Sequence, residues 1–190
     1  MRKIVFVLPA LNDSHHINHV KEFIERGYEV EVYGFERVDR PKVSYDYEVN
    51  VLGELANESY KNRIKLYLKQ FRLVGKKYKK EDVVYFLSGL DLTLFFLMIN
   101  RKVKYIYEEF DLRHTYLPLT RLWEIIDKRI IKKSTMTAFT SEGFIDYHFG
   151  GNVPQNVALM ENKLNPKVLE YQAKERQFDK SKLSIGFVGG

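Results

Sequence analysis

Runs of β-branched and aromatic residues alternate along this chain with stretches whose apolar residues recur every three or four positions. Lys3–Leu8 (KIVFVL) is the first such run, a buried strand by composition. The loop LPALNDSHH follows, with Asn12, Asp13 or Ser14 available as a helix cap. Ile17, Val20, Phe23 and Ile24 then keep helical spacing over 17–26, and Gly27 stands where a helix C′ glycine belongs. YEVEVYGF (28–35) alternates as a strand, which completes a β-loop-α-β unit by residue 35. YDYEVNVLG (45–53) predicts a further strand. Between 58 and 79, Tyr60, Ile64, Leu68, Phe71, Val74 and Tyr78 fall three or four apart and predict an amphipathic helix. Strands are expected at 83–87, 103–107, 136–140 and 156–160. Helices are expected at 92–99, across SEGFIDYHF (141–149), and from Pro118 onward with Leu119, Leu122, Trp123, Ile126 and Ile130 inward.

Strands alternating with helices predict an α/β fold, a Rossmann-like three-layer sandwich with a mostly parallel sheet, over residues 1–162. Residues 163–182 are polar and charged and read as a linker with helical potential. LSIGFVGG (183–190) is an apolar run turning into glycines, the usual opening of a βα unit, so it reads as the first strand and glycine loop of a second, truncated domain.

Composition narrows this reading. With 45% hydrophobic residues the chain can build a core, and without cysteine it has neither a disulfide framework nor a thiolate metal site. The N-terminus lacks the long apolar region of a signal peptide. The longest apolar run, LTLFFLMI (92–99), falls short of the roughly 20 residues a bilayer-crossing helix needs. A cytoplasmic protein, at most peripheral on the inner membrane face, is expected. The formal charge of +6 is concentrated between Lys61 and Lys80. Such a basic helix is either a solvated face or a membrane-facing one, with Lys61, Lys65, Lys69, Arg72 and Lys76 directed at anionic lipid for about 1 kcal/mol each. Tyr60, Tyr67 and Tyr78 interleave with these charges, but no nucleic-acid motif accompanies them, and no nucleic-acid partner is expected.

The first loop contains no glycine, so the G-x-G-x-x-G dinucleotide fingerprint is missing from the place where it has physical meaning. Neither a P-loop nor a G-x-S-x-G nucleophile elbow is present. Four segments, in order, resemble the N-terminal half of retaining family-four glycosyltransferases of the B-type fold, enzymes of bacterial polysaccharide biosynthesis. They are DSHHINHVKEFIERGYEVEVYGFER (13–37), YIYEEFDLRHTY (105–116), IIDKRIIKKSTMTAFTSEGF (125–144) and NVALMENK (156–163). The resemblance implies an acceptor-side domain that faces a nucleotide sugar, the donor substrate, held by a second domain. It implies a saccharide or lipid-linked acceptor and no cofactor bound by this part. Gly189 and Gly190 would begin the loop near the donor's phosphates. The departing diphosphate would help take the acceptor proton, and residues 1–190 alone would be inactive. A non-hydrolysing nucleotide-sugar epimerase shares the architecture and is the rival enzyme reading. A non-catalytic module that binds anionic membrane through its basic helix is the rival outside enzymes.

Ligands of open parallel sheets bind outside the carboxyl ends of the strands, which singles out four loops. Asn12, Ser14, His15 and His16, then Ser88 and Gly89, then Glu108, and then Ser141 and Glu142 are the candidate substrate-binding residues. Glu109, Asp111 and His114 are the candidate catalytic ones. Glu109 or Asp111 would orient an acceptor hydroxyl, and crowding among Glu108, Glu109 and Asp111 should raise a pKa. The alternative is that Asp111 caps a turn while the glutamates are solvated. Relatives often place a histidine where this chain has Phe110, and His114 is the substitute. His15 and His19, one helical turn apart, raise the question of a metal. No H-E-x-x-H pattern or matching carboxylate accompanies them, and none is expected. His15 or His16 instead donates to substrate near a helix N-terminus, which favours anionic groups, or is simply exposed.

Overall fold

The computed structural model describes residues 3–55, 60–112, 115 and 119–161, with side chains throughout except at 60–62. Among these residues the elements are β1 (Lys3–Leu8), α1 (Ser14–Glu25), β2 (Glu29–Arg37), β3 (Val49–Leu55), α2 (Tyr60–Lys77), β4 (Val83–Ser88), α3 (Leu90–Ile99), β5 (Lys104–Glu109), α4 (Thr120–Lys133), β6 (Met136–Phe139), α5 (Glu142–Phe149) and β7 (Val157–Leu159). The strands form one all-parallel sheet in the order β3-β2-β1-β4-β5-β6-β7. The domain is therefore an α/β, Rossmann-like sandwich, as the alternation of strands and helices predicts.

Period-two alternation along buried strands gives the sheet two apolar faces. Val5, Tyr33, Phe35, Tyr85, Tyr107 and Phe139 belong to one core with Tyr67, Phe71 and Val74 of α2 and Phe96 of α3. Ile4, Phe6, Val32, Phe86 and Ile106 belong to the other, with Val20 of α1. There Phe6 and Phe86 stack at 4.5 Å, and Phe23 meets both rings edge-on at 5.3 and 5.7 Å. Burying a side chain of this size stabilises the fold by about 1.5–3 kcal/mol. β2 carries Gly34 for a steric reason: a Cβ there would lie 2.8 Å from the Leu11 side chain, whose own amide bonds Phe35 O at 2.8 Å. The loop after β1 is pressed onto β2 by this contact.

Two helices bury most of the positions the spacing predicts, Phe71, Val74 and, just past its end, Tyr78 in one and Ile130 in the other, but each departs from the predicted face at one end. In α2, Leu68 is exposed and Tyr67 is buried instead, tilted against Phe35 and Phe71. In α4, Leu122 is exposed, as is Leu119 just before the helix, and the buried positions are Asp127, Ile130 and Ile131. The stripe of α4 is turned because the Tyr107 hydroxyl, rising from β5, draws Asp127 inward. Leu119 sits outside the helix in the left-handed region, with φ 64°. The linker at 163–182, the terminal 183–190 with Gly189 and Gly190, His114, Pro118 and the Lys61 side chain lie outside the described residues.

Candidate functional site

β1 and β4 are neighbours in the sheet, and the chain runs outward from them in both directions. Their carboxyl ends mark the switch point where open α/β sheets take ligands. The loop after β1, the Ser88–Gly89 turn and the end of β5 converge here, and α1 starts here. Asp13 caps α1: its Oδ1 accepts from His15 N at 3.2 Å, while Oδ2 accepts from Arg40 at 2.6 Å. Burial is the largest single influence and works against the Asp13 charge, but the hydrogen bonds from Arg40 and His15 N together with nearby positive charge outweigh it and hold the carboxyl below its ordinary pKa. Among Asn12, Asp13 and Ser14, Asp13 is the cap.

That cap sets the rotation of α1, so that His15, His16 and His19 all meet Glu108. Glu108 Oε1 lies 3.1 Å from His15 Nε2 and 2.6 Å from His19 Nδ1. Oε2 accepts from the Ser88 hydroxyl and lies 3.9 Å from His16 Nε2. His16 Nδ1 is 2.9 Å from Ala10 O, which can only accept, so the ring proton sits on Nδ1 and Nε2 faces Ser88 Oγ at 2.8 Å as an acceptor. Burial pushes the His16 pKa down to about 4. For Glu108 burial alone would raise the pKa, but hydrogen bonds from His15 and His19 outweigh it and keep the carboxylate ionised well below its usual range. Phe110 roofs the group, its ring 5.5 Å from His15 and 5.7 Å from His16. Gly89 permits that roof. It has φ +84°, and a Cβ there would stand 3.2 Å from the Phe110 ring.

Glu109, the next residue, points to the opposite face of the sheet. Its carboxylate lies 3.1 Å from His148 Nε2 of α5, and Asp127 Oδ2 of α4 is 3.6 Å from the same nitrogen. Tyr107 donates to Asp127 Oδ1 at 3.0 Å. Burial dominates every group here: it raises Glu109 to about 8, with help from the Asp111 charge, raises Asp127 to about 7, and lowers His148. All three side chains are 1% exposed or less. At neutral pH this cluster favours a protonated Glu109 beside an uncharged imidazole, with Asp127 close to its midpoint.

The structure revises several expectations. Glu108 and Glu109 are not solvated and do not crowd each other, because adjacent strand residues face opposite ways. The raised pKa does appear, at Glu109 with Asp111 as its neighbour. His16 and His19 are buried rather than exposed. The carboxylate that was missing beside His15 and His19 in the sequence is Glu108, brought from β5. Asn12 holds the loop after β2: its Nδ2 donates to Arg37 O and Pro41 O, and its Oδ1 accepts from Arg37 N. Ser14 is exposed at the start of α1. Ser141 caps α5 by accepting from Gly143 N at 3.2 Å, and Glu142 is exposed in the first turn. Asp111 is half-buried beyond Glu109. Sequence reasoning missed Tyr107, Asp127 and His148. The available signal was Asp127, a charge set between Ile126 and Ile130 on the inward stripe of a helix. On α2, Lys65, Lys69, Arg72 and Lys76 are exposed, whereas Tyr67 and Tyr78 are core residues, which removes them from any nucleic-acid surface. No described helix is long and apolar enough to cross a membrane.

No protein-family model matches the sequence, and no curated protein matches it. Solved structures are similar in fold. UDP-N-acetylglucosamine 2-epimerase from Rickettsia bellii aligns at 17% identity with a TM-score of 0.56, covering 90% of this chain and 47% of that one. S. aureus MnaA bound to UDP aligns at 14% identity with a TM-score of 0.54, covering 85% and 44%. UDP-GlcNAc 2-epimerase from Methanocaldococcus jannaschii aligns at 12% identity with a TM-score of 0.52, covering 84% and 45%. The likeness is one of fold: the chain carries a GT-B-like α/β domain. This GT-B-like domain spans less than half the length of each of those structures.

Proposed function

We propose that this GT-B-like domain is the acceptor-side half of a retaining glycosyltransferase, which moves a sugar from a nucleotide-sugar donor to a saccharide or lipid-linked acceptor. The observation that carries the reading is the assembly of the loop after β1, the start of α1, Ser88–Gly89 and the end of β5 into one wall at the switch point. Two of the four segments that resemble family-four enzymes, 13–37 and 105–116, contribute residues of this wall. His15, at its rim, and Asp111 are the groups within reach of an acceptor. Glu108 and Glu109 act from behind them, because both are sealed from solvent. A second domain would hold the donor, and stabilisation of the leaving diphosphate would come largely from it. Residues 1–190 alone are accordingly expected to transfer no sugar. The exposed lysines and arginine of α2 would rest on an anionic membrane surface, and vesicle co-sedimentation that is indifferent to anionic lipid would remove that part of the reading.

A nucleotide-sugar epimerase is the second reading. It is favoured by the likeness in fold to the two UDP-GlcNAc 2-epimerases and by Glu109 and Asp127, buried carboxyls with pKa values lifted toward neutrality, as proton-transfer chemistry requires. One experiment separates the readings. The full-length protein is incubated with UDP-sugars in D2O, with and without saccharide or lipid-linked acceptors. A transferase releases nucleoside diphosphate only when an acceptor is present and leaves the sugar's C2 hydrogen in place. Deuterium at C2 without an acceptor sinks the transferase reading in favour of the epimerase.

A further inference from the structure

We propose that His15, His16 and Glu108 form a binding site for a divalent transition metal of the Zn2+ class, opening at the switch point. Their donor atoms all lie within 4.8 Å of one another, and His15 Nε2 is 3.1 Å from Glu108 Oε1. Ligand distances near 2.0–2.2 Å place tetrahedral donors roughly 3.3–3.5 Å apart, so a small inward rotation of these side chains closes the set. Two imidazoles and a carboxylate are the donor chemistry that Zn2+ takes, with a position left for an exchangeable ligand.

The surroundings are those of a built site. A ligating imidazole ordinarily donates its other ring N–H to a carbonyl or carboxylate, and His16 does so to Ala10 O at 2.9 Å. A ligating carboxylate is ordinarily held by outer hydrogen bonds: Glu108 accepts one from Ser88, and His19 Nδ1 stands 2.6 Å from its Oε1. Phe110 covers one side. His15, with 10% of its side chain exposed, stands at the mouth, so the open position faces the cleft.

The test is a calorimetric titration of the chelator-stripped chain with Zn2+, paired with Co2+ titration followed by visible absorption. We expect one equivalent bound with a submicromolar Kd and intense Co2+ bands of a four-coordinate site. His15→Ala, at the rim and compatible with folding, should weaken Zn2+ binding by more than the roughly 10–100-fold that loss of an outer partner costs, and His19→Asn by an amount within that range. Circular dichroism checks that both variants fold. No Zn2+ binding to the folded wild-type chain overturns the proposal. So does binding unchanged by His15→Ala, or binding abolished instead by His148→Ala, which would place the metal at the Glu109 cluster. None of these readouts depends on sugar chemistry, so the proposed function and the metal site fail separately.

Discussion

Glu108 and Glu109 are neighbours on β5, share a backbone and are equally buried, yet they are held in opposite states. Glu108 faces α1 and is ionised, surrounded by imidazoles and a hydroxyl. Glu109 faces α4 and α5, meets one imidazole and another carboxyl, and keeps its proton toward pH 8. Burial disfavours charge equally on both faces, so the difference lies in the neighbours. His15 and His19 from one capped helix, with the Ser88 hydroxyl, supply enough favourable contacts to offset desolvation. One histidine shared between two acids does not. A strand end with two adjacent glutamates is thus two sites rather than one acidic patch.

The largest expected effect tests that contrast directly. In the chelator-treated chain at pH 7, Glu108→Gln should cost about 1.5–3 kcal/mol in urea denaturation, because the buried Ser88 hydroxyl and imidazoles lose an ionised acceptor. Glu109→Gln should cost less than about 1 kcal/mol, since a neutral acid is replaced by a neutral amide of the same shape. Equal losses would mean that both carboxyls share one charge state. A smaller effect concerns pH. Folded Asp127 keeps its proton up to about 7, above its ordinary value near 3.8. Its contribution to stability is therefore full below pH 3.8 and is lost as pH rises through about 7. Asp127→Asn should flatten that fall in a series of denaturation curves, and an unchanged slope would assign the titration elsewhere. Smallest is Ser141→Ala, which removes the cap of α5 and should cost about 1 kcal/mol. It should loosen His148 while leaving Zn2+ affinity on the Glu108 face unaltered. A change in that affinity would show that the two faces communicate through β5.

Much of the fold was legible because strand and helix periodicities are local. Lys3–Leu8 is a strand at the predicted bounds, and the helix expected over 58–79 spans Tyr60–Lys77. The faces of α2 and α4 were less legible. Leu68 and Leu122 fit the spacing as well as Tyr67 and Asp127 do, and only the partners, Phe35 and Tyr107, decide which turns inward. Of the site, His15, His16, Ser88, Glu108 and Glu109 were visible as polar residues at predicted strand and helix ends. Their grouping was not. Asn12 and Ser141 drew the same attention and are engaged in a loop clamp and a helix cap.

What the sequence determined by itself is the order of strands and helices, the position of the carboxyl-end loops and the concentration of basic charge on α2, because each depends on residues close along the chain. Tertiary structure alone decided which charges meet. Glu108 reaches His15, and Glu109 reaches Asp127 and His148, across separations in sequence that no spacing rule spans. Whether each carboxyl is ionised follows from those neighbours and from burial, which exist only once the sheet is assembled.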